Sequence, residues 1–264
     1  SGKMQSIGVA NNHMWRSQML PNEAWGRRRD TKRLPPPLGN GYWTQEIYHH
    51  ILNAGIRIPP SAGSASGVLG NPLGYNRVYV HLDGKFSETA WWDGLAKGNC
   101  FVTNGPLLRV RANGRLPGAV FTADGGKPLG LKLDVQLTTL DRLGKLEVIQ
   151  NGKVTQTIPC NGDRNQAHSF PLTVNESGWF LIRGIAETPK TFRFASTAPF
   201  YTELGQAKRR ISKSSSRFFL DWVNERIERV KGNVTDKSQQ AEVLRFHESA
   251  RKFWQKKVRE ANAD

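Results

Sequence analysis

The chain has 264 residues, enough for about two globular domains, and its 38% hydrophobic content argues against intrinsic disorder. No apolar run approaches the ~18 residues of a membrane span and no basic-then-apolar leader opens the chain, so we expect a soluble protein without a targeting segment. The 38 Lys and Arg residues against 22 Asp and Glu residues give a net charge of +16, which makes nucleic acid and anionic ligands the first partners to consider.

The distribution of this charge argues against nucleic acid as the partner. Residues 1–40 carry +5, residues 41–204 carry +4 and residues 205–264 carry +7. The basic runs at 27–33 and 208–210 lack the interleaved aromatic residues of nucleic-acid motifs. We therefore expect solvated or inter-domain contacts from these runs, and a small anionic molecule rather than nucleic acid as a partner.

Residues 1–104 alternate between strand and helix patterns. Strands are predicted at 7–10, 56–58, 77–82 and 100–103, and helices at 45–54 and 87–98. Thr44 is the predicted N-cap of the first helix, and Gly55 is the residue expected just after its end. Because strands that alternate with helices favour parallel pairing, this region predicts a partial α/β layer.

Residues 105–204 change to short alternating strands separated by turn signals. Seven strands are predicted, at 107–112, 131–137, 146–150, 154–158, 169–174, 179–185 and 191–194. The sequences Asp124-Gly125-Gly126 and Asn151-Gly152 are typical of hairpin turns. Strands in this number and spacing predict an immunoglobulin-like antiparallel β-sandwich.

Residues 205–264 return to helical spacing. One apolar stripe runs from Phe219 to Val230 and ends before Gly232, and a second runs from Val243 to Val258. The two stripes predict a C-terminal αα-hairpin. The predicted fold class is therefore multidomain α+β, with a partial α/β region at 1–104, a β-sandwich at 105–204 and a helical hairpin at 205–264.

The segment 58–77 is the strongest candidate for ligand binding. Small residues after a short strand allow backbone N–H groups to surround an anion, and Arg77 offers a guanidinium fork to a carboxylate or phosphate. An alternative is a tight loop whose small residues only permit close packing. The predicted ligand-binding residues are Ser64, Ser66, Asn71, Tyr75, Asn76 and Arg77.

Four side chains are candidates for metal binding. His13 follows the first strand, where α/β proteins place ligand-contacting groups, and Glu23 lies downstream of it. Glu46 and His50 are one helical turn apart and can face the same side. The alternatives are a histidine hydrogen-bonded at a strand end and a surface pair on a helix.

Aromatic residues and known catalytic motifs give less direction. Five tryptophans can stack on a sugar or a nucleobase, or can pack within and between domains: Trp15, Trp25, Trp43, Trp91 and Trp92. Cys100 and Cys160 have no paired spacing of a zinc site, and no phosphate loop, nucleophile elbow or His-Glu-x-x-His motif occurs.

One combination of motifs points to a family. The combination covers mainly residues 5–120 and consists of Asn12-His13-Met14, Glu23-Ala24-Trp25-Gly26, Glu46-Ile47-Tyr48, Leu52-Asn53-Ala54-Gly55, the stretches 62–68 and 71–80, and Val102-Thr103-Asn104-Gly105-Pro106-Leu107-Leu108. It resembles the C-terminal half of metallohydrolases of the PHP (polymerase and histidinol phosphatase) superfamily, and most closely their carbaryl-hydrolase-like (CehA/McbA) group.

This resemblance implies a distorted (β/α) barrel with a cluster of divalent metals held by His and Asp side chains at successive strand ends. Such metals activate a water and polarise a phosphoryl or acyl oxygen for hydrolysis. The missing barrel half is expected from the upstream part of the same polypeptide. The chain has no His-x-His motif, and Ala65 and Gly67 stand where the family's Gly-Ser-Asp-x-His motif has its Asp and His.

Two functions follow as expectations. In the first, the chain is the C-terminal region of a metal-dependent hydrolase-like protein; it is not catalytic by itself, and no divalent metal is firmly bound by this chain alone. In the second, the chain is a non-enzymatic module that binds anionic or carbohydrate ligands through its basic surface and exposed aromatic side chains.

Overall fold

A computed structural model describes residues 4–11, 14, 26–67, 72–124, 127–189, 191–205 and 209–264. Within these residues the fold is a mixture of four α-helices and several β-sheets. The helices are α1 (Gly39–Asn53), α2 (Glu88–Lys97), α3 (Lys213–Asn233) and α4 (Lys237–Arg259). The strands are β1 (Ile7–Ala10), β2 (Pro60–Ala62), β3 (Arg77–Val80), β4 (Cys100–Thr103), β5 (Leu107–Ala112), β6 (Val120–Ala123), β7 (Leu129–Thr138), β8 (Lys145–Gln150), β9 (Lys153–Pro159), β10 (Asn165–Val174), β11 (Gly178–Ile185), β12 (Phe194–Thr197) and β13 (Phe200–Leu204).

The chain divides into two compact units. The first contains residues 1–48 and 57–208, and the second contains residues 49–56 and 209–264. The domain boundary predicted at residue 104 lies directly after β4. Because β4 pairs with β12, a strand of the predicted sandwich region, one continuous sheet contains strands from both sides of this boundary.

Among the described residues, the first unit contains three sheets. The parallel pair β1–β2 is the smallest, and an antiparallel sheet has the order β10-β7-β5. The largest sheet has the order β3-β4-β12-β11-β13-β6, with β8 also paired to β11 and β9 paired to β8. Only β13–β6 is parallel among the described pairs of this sheet.

One hydrophobic core lies between the three-stranded sheet and the large sheet. Alternate residues of β5, β7 and β10 are buried, as expected for strands with one face toward a core and one toward solvent. Their inward side chains, such as Val110 and Leu133, belong to the same buried cluster as Val148, Phe180 and Phe200 of the large sheet. Packing of this kind explains the alternating sequence pattern of residues 105–174.

The prediction of parallel pairing holds for β1–β2 but is wrong for β3–β4. These two strands are antiparallel although α2 lies between them. His81 donates its backbone N–H to the Asn99 carbonyl at 2.8 Å, so the connection between the strands starts and ends at the same place. The helix is therefore part of a long hairpin connection and not a crossover.

The first helix starts earlier than its predicted N-cap. α1 begins at Gly39, and Thr44 lies inside it, where its hydroxyl donates to the Asn40 carbonyl at 3.0 Å. Gly55 has the expected left-handed backbone, with φ +76°. The strand predicted at 56–58 is wrong in position, because β2 forms at 60–62 instead. The strands β6 and β13 were not predicted.

The second unit contains the predicted C-terminal helix pair. Ser212 caps α3 by accepting a hydrogen bond from Ser215 N, and Asp236 caps α4 by accepting one from Gln239 N. The two helices pack through a stacked pair of rings, Phe219 and Trp254, with centroids 4.5 Å apart. In the described part of the chain, no helix combines the length and the apolar character needed to cross a membrane.

Candidate functional site

A half-open cleft of about 690 Å³ lies in the first unit between the β3–β4 hairpin and the outward face of the β10-β7-β5 sheet. β5, β7 and β10 contribute polar side chains at the positions that alternate with core residues. The hairpin contributes two aromatic rings. The site therefore combines an apolar wall with a polar sheet surface, a common composition of small-molecule sites.

The apolar wall is a pair of stacked rings. Tyr79 of β3 lies directly opposite Phe101 of β4 in the strand register. Their ring centroids are 5.0 Å apart and their planes differ by 7°. Tyr79 is 40% exposed, so part of its ring is available to a ligand. A flat, solvent-accessible aromatic surface of this kind stacks on the apolar face of a sugar or on another ring.

Arginine side chains supply positive charge to the cleft. Arg109 and Arg111 are exposed and occupy alternate positions of β5. Arg111 donates to the Gly114 carbonyl at 2.8 Å, which uses one of its five N–H donors. Among the described residues, no acceptor bonds to the guanidinium of Arg109. The guanidinium of Arg77 lies 5.9 Å from the centre of the Tyr79 ring and so adds charge beside the aromatic wall.

Asp134, the acidic residue of the cleft, is already neutralised by its neighbours. The Ser169 hydroxyl donates to Asp134 at 2.8 Å, and Lys132 forms an ion pair with it at 3.3 Å. The Ser169 hydrogen bond, followed by the Lys132 contacts, lowers the pKa of Asp134, which is therefore ionised at neutral pH. Because Lys132 balances this carboxylate, the arginine charges leave the cleft with a net attraction for anions.

The two histidines that line the cleft contact a thiol and a carboxylate. His168 lines the cleft, and its Nε2 lies 4.0 Å from Cys160 Sγ. Burial raises the pKa of the Cys160 thiol, so the thiolate needed for nucleophilic attack is disfavoured at neutral pH. His81 pairs with Asp83 at 3.1 Å on the rim.

Side chains of the predicted loop at 58–77 form hydrogen bonds within the loop and to neighbouring segments. Asn76 donates its backbone N–H to Ser64 Oγ at 2.9 Å, and its Nδ2 donates to the carbonyls of Asn11 and Gly63. The Tyr75 hydroxyl lies 3.0 Å from Thr191 Oγ1.

Ser66 is exposed, and Arg77 donates to the Gly74 carbonyl at 3.2 Å. Asn71 lies outside the described residues. The ligand-binding role of these residues stays a prediction, and among them Arg77 lies nearest the aromatic wall, with its guanidinium 5.9 Å from the centre of the Tyr79 ring.

The described candidates for metal ligands are engaged elsewhere. Both carboxylate oxygens of Glu46 accept hydrogen bonds from Arg33 at 2.6 Å, and the same contact raises the pKa of Arg33. His50 Nδ1 lies 2.9 Å from Ser215 Oγ, and its ring stacks on Phe218. His13 and Glu23 lie outside the described residues. Within the described ranges, no three His, Cys, Asp or Glu side chains converge as a metal site would require, so the described residues do not fit a metal cluster.

The tryptophans that the structure describes lie away from this cleft. Trp43 is buried and donates to the Arg27 carbonyl at 3.1 Å, while Trp91 and Trp92 meet edge to face on α2. Trp15 and Trp25 lie outside the described residues.

Sequence reasoning missed Tyr79, Phe101 and Arg109. Their signal was the polar and aromatic residues at alternate strand positions, but finding the site required the pairing of β3 with β4.

Comparison with models of known protein families gave no match for this chain, and comparison with curated protein sequences gave none either.

Proposed function

We propose that this chain is a binding module for an anionic carbohydrate, held in the cleft between the β3–β4 hairpin and the β10-β7-β5 sheet. The observation that carries the proposal is that one cleft contains the stacked Tyr79–Phe101 pair and Arg109, whose guanidinium has no acceptor among the described residues. A sugar ring has an apolar face that stacks on an aromatic side chain, and a sugar acid adds a carboxylate that a guanidinium binds with two parallel hydrogen bonds.

The polar rows of the sheet support a sugar over a purely aromatic anion. Arg109, Gln136 and Ala167 are aligned across β5, β7 and β10, and the next row contains Arg111, Asp134 and Ser169. Gln136 offers both a donor and an acceptor, which are the groups that recognise sugar hydroxyls. The small Ala167 leaves room beside it, so a ring placed on Tyr79 can reach the row through its hydroxyl groups.

The test is calorimetric titration with galacturonate oligomers, using neutral galactose oligomers as the uncharged match. We expect binding of the acidic oligomer that weakens as salt is raised, and at least about tenfold weaker binding of the neutral one, since a charge-assisted hydrogen bond contributes about 1.5–3 kcal/mol. Arg109→Gln removes this preference. Arg164→Gln, an exposed arginine on the loop before β10, is the matched control and leaves the affinity unchanged. Equal affinity for both oligomers, or no binding of either at low salt, overturns the proposal.

A second proposal is the relationship to the metal-dependent hydrolases of the PHP superfamily. In this proposal residues 1–104 are a remnant of the barrel, and residues 105–204 are an immunoglobulin-like sandwich. It is supported by the parallel β1–β2 pair and by the buried Ser64–Asn76 network that follows the carboxyl end of β2. In α/β sheets this is the edge where ligands bind.

The hydrolase proposal assigns the chemistry to residues other than those described. Ala65 has no ligating side chain, and Glu46 is held by Arg33, so we derive no catalytic step from them. The upstream part of the same polypeptide would supply the His-x-His ligands. Metal analysis and phosphatase and esterase assays of the longer polypeptide test this proposal, and a metal-free, inactive polypeptide overturns it.

A further inference from the structure

The helix pair of the second unit has an exposed aromatic flank with positive charge beside it. No residue of α4 is buried, and the exposed fractions are 61% for Phe246, 44% for Phe253 and 37% for Val243. The packing against α3 explains why these side chains are left outside. Trp254 occupies that contact by stacking on Phe219, and Phe253 is rotated by about 100° from Trp254 on the helix.

Cations accompany both exposed rings. The guanidinium of Arg245 lies 5.1 Å from the centre of the Phe246 ring, and Lys257 Nζ lies 6.0 Å from the centre of the Phe253 ring. A long cationic side chain beside an apolar ring keeps its charge at the surface while its stem covers apolar area. Each ring and its cation therefore form a unit that is apolar in one part and charged in another.

The charge of α4 is strongly positive and mostly uncompensated. It contains seven Lys and Arg residues and two Glu residues. Arg251 pairs with Glu248 at 2.6 Å, and Lys256 pairs with Glu260 at 3.6 Å. Among the described residues no acidic side chain pairs with the other cations of the helix, which are Lys237, Arg245, Lys252, Lys257 and Arg259.

The electrostatic surroundings of Lys257 agree with this concentration of charge. Its pKa is lowered, first by partial burial and also by the positive charges of Arg209 and Lys256, although Glu260 opposes the shift. An anionic surface placed against α4 would reverse the repulsive part of this effect.

We infer that the exposed Phe246–Phe253 flank of α4 docks this protein on an anionic lipid bilayer surface. Charge complementarity and the ring–cation pairs identify the occupant. Shallow insertion of the two rings among the headgroups buries their apolar area, and Arg245, Lys252 and Lys257 meet the lipid phosphates and carboxylates.

The spacing of the rings favours a bilayer over other polyanions. Phe246 and Phe253 are seven residues apart, about 10.5 Å along the helix, which is too far for stacking on successive bases of a nucleic acid. Another part of the apolar stripe packs on α3 through Trp254, so the free flank presents Phe246 and Phe253 with cations beside both rings. A bilayer surface requires neither a fixed repeat nor a wide stripe.

The experiment is co-sedimentation of the full chain with vesicles of phosphatidylcholine alone or mixed with phosphatidylserine. We expect binding to the mixed vesicles, at least about tenfold weaker binding to the neutral ones, and loss of binding when salt rises from about 0.1 M to about 1 M, where the Debye length falls from about 10 Å to about 3 Å.

Two sets of variants separate the parts of the surface. The double variant Phe246→Ser with Phe253→Ser lowers the partition coefficient by about tenfold or more, since burial of part of a phenylalanine ring corresponds to a factor of this size. The double variant Arg245→Gln with Lys252→Gln lowers it by a similar factor on the mixed vesicles only. Phe86→Ser is the matched control, because Phe86 is 74% exposed in the first unit, and it leaves binding unchanged.

Circular dichroism checks that the helix content of each variant is that of the wild type. Equal binding to neutral and mixed vesicles, wild-type binding by the Phe246/Phe253 double variant, or tighter binding of a single-stranded oligonucleotide than of the mixed vesicles overturns the inference. A failure here leaves the carbohydrate proposal intact, since galacturonate binding is measured at the cleft of the first unit.

Discussion

The side chain of Asn104 takes the place of a backbone group beside Phe194. Its Oδ1 accepts a hydrogen bond from Phe194 N at 2.8 Å, and its Nδ2 donates to the Phe192 carbonyl at 2.8 Å. Asn104 is 3% exposed, so no water replaces these bonds if the side chain is removed. It therefore extends the pairing of β4 with β12 beyond the last residue of β4.

The first prediction follows from this pair of bonds. Asn104→Ala leaves one buried donor and one buried acceptor without partners, and we expect the free energy of unfolding to fall by about 2–4 kcal/mol. Urea denaturation monitored by circular dichroism measures the change. Asn224→Ala, an exposed position on α3, is the control and changes it by less than about 0.5 kcal/mol. An equal effect of the two substitutions contradicts this role of Asn104.

The second prediction concerns Tyr79. If a sugar ring stacks on it, Tyr79→Ala lowers the affinity for galacturonate oligomers by about tenfold, because base and sugar stacking on an aromatic ring contributes about 1–3 kcal/mol. Tyr79→Phe keeps the ring and stays within about threefold of the wild type, since no described group bonds to the Tyr79 hydroxyl. Calorimetry measures both. A loss in the Phe variant as large as in the Ala variant would mean that the hydroxyl, and not the ring face, binds the ligand.

Local sequence signals predicted individual elements well but did not predict how they pair. Ser87 is the first residue of the helix predicted at 87–98, and its Oγ caps α2 by accepting a hydrogen bond from Ala90 N at 3.1 Å. Gly98 ends the same helix with φ +78°, as its position suggested. These features depend on residues within one turn of each other. The antiparallel pairing of β3 with β4 depends on where the chain returns after α2, and no residue near Ser87 determines that.

The site shows the same limit. Glu46 and His50 share a helical face by spacing, but Arg33, thirteen residues earlier, and Ser215, 165 residues later, determine what they contact. Arg109 carries no motif, and it becomes a candidate only because β3 and β4 place two rings in the cleft that it lines. Contacts between distant segments therefore define this site, and a single sequence does not reveal them.

The third prediction tests the close approach of two chain segments at Gly118. Gly118 has φ +87°, and a Cβ atom there would overlap the carbonyl oxygen of Lys97. Gly118→Ala combines a left-handed backbone with this overlap, so we expect a loss of about 3 kcal/mol or more in the free energy of unfolding. Gly130→Ala is the matched control, because no atom lies within 4 Å of its Cβ position, and its effect is small. Chemical denaturation compares the two variants, and similar losses in both would show that the overlap at Lys97 is relieved at little cost.

The fourth prediction is an alkaline loss of stability caused by Cys100. Burial raises the pKa of its thiol from 9.0 to about 12, so the folded protein keeps the thiol protonated where the unfolded chain has lost the proton. The stabilisation that comes from this raised pKa is fully present below the thiol pKa of the unfolded chain. It is lost as pH rises toward the thiol pKa of the folded protein. The free energy of unfolding should therefore fall by about 1.4 kcal/mol per pH unit above pH ~9, until pH ~12.

The interval between pH ~9 and pH ~10 favours Cys100 over Tyr48, another buried group that titrates at high pH. Burial raises the pKa of Tyr48 well above its ordinary value of 10.0, so Tyr48 contributes mainly above pH ~10, where more than half of an unfolded tyrosine is ionised. Urea unfolding of Cys100→Ala in this interval should show a flatter dependence on pH than the wild type, whereas Cys160→Ala should keep most of the wild-type slope, since the Cys160 thiol is less buried. Equal slopes in the wild type and Cys100→Ala would mean that the folded state accommodates the Cys100 thiolate. The packing of β4 against β2 would then be looser than the 3.8 Å contact between Cys100 Sγ and the Pro60 carbonyl implies.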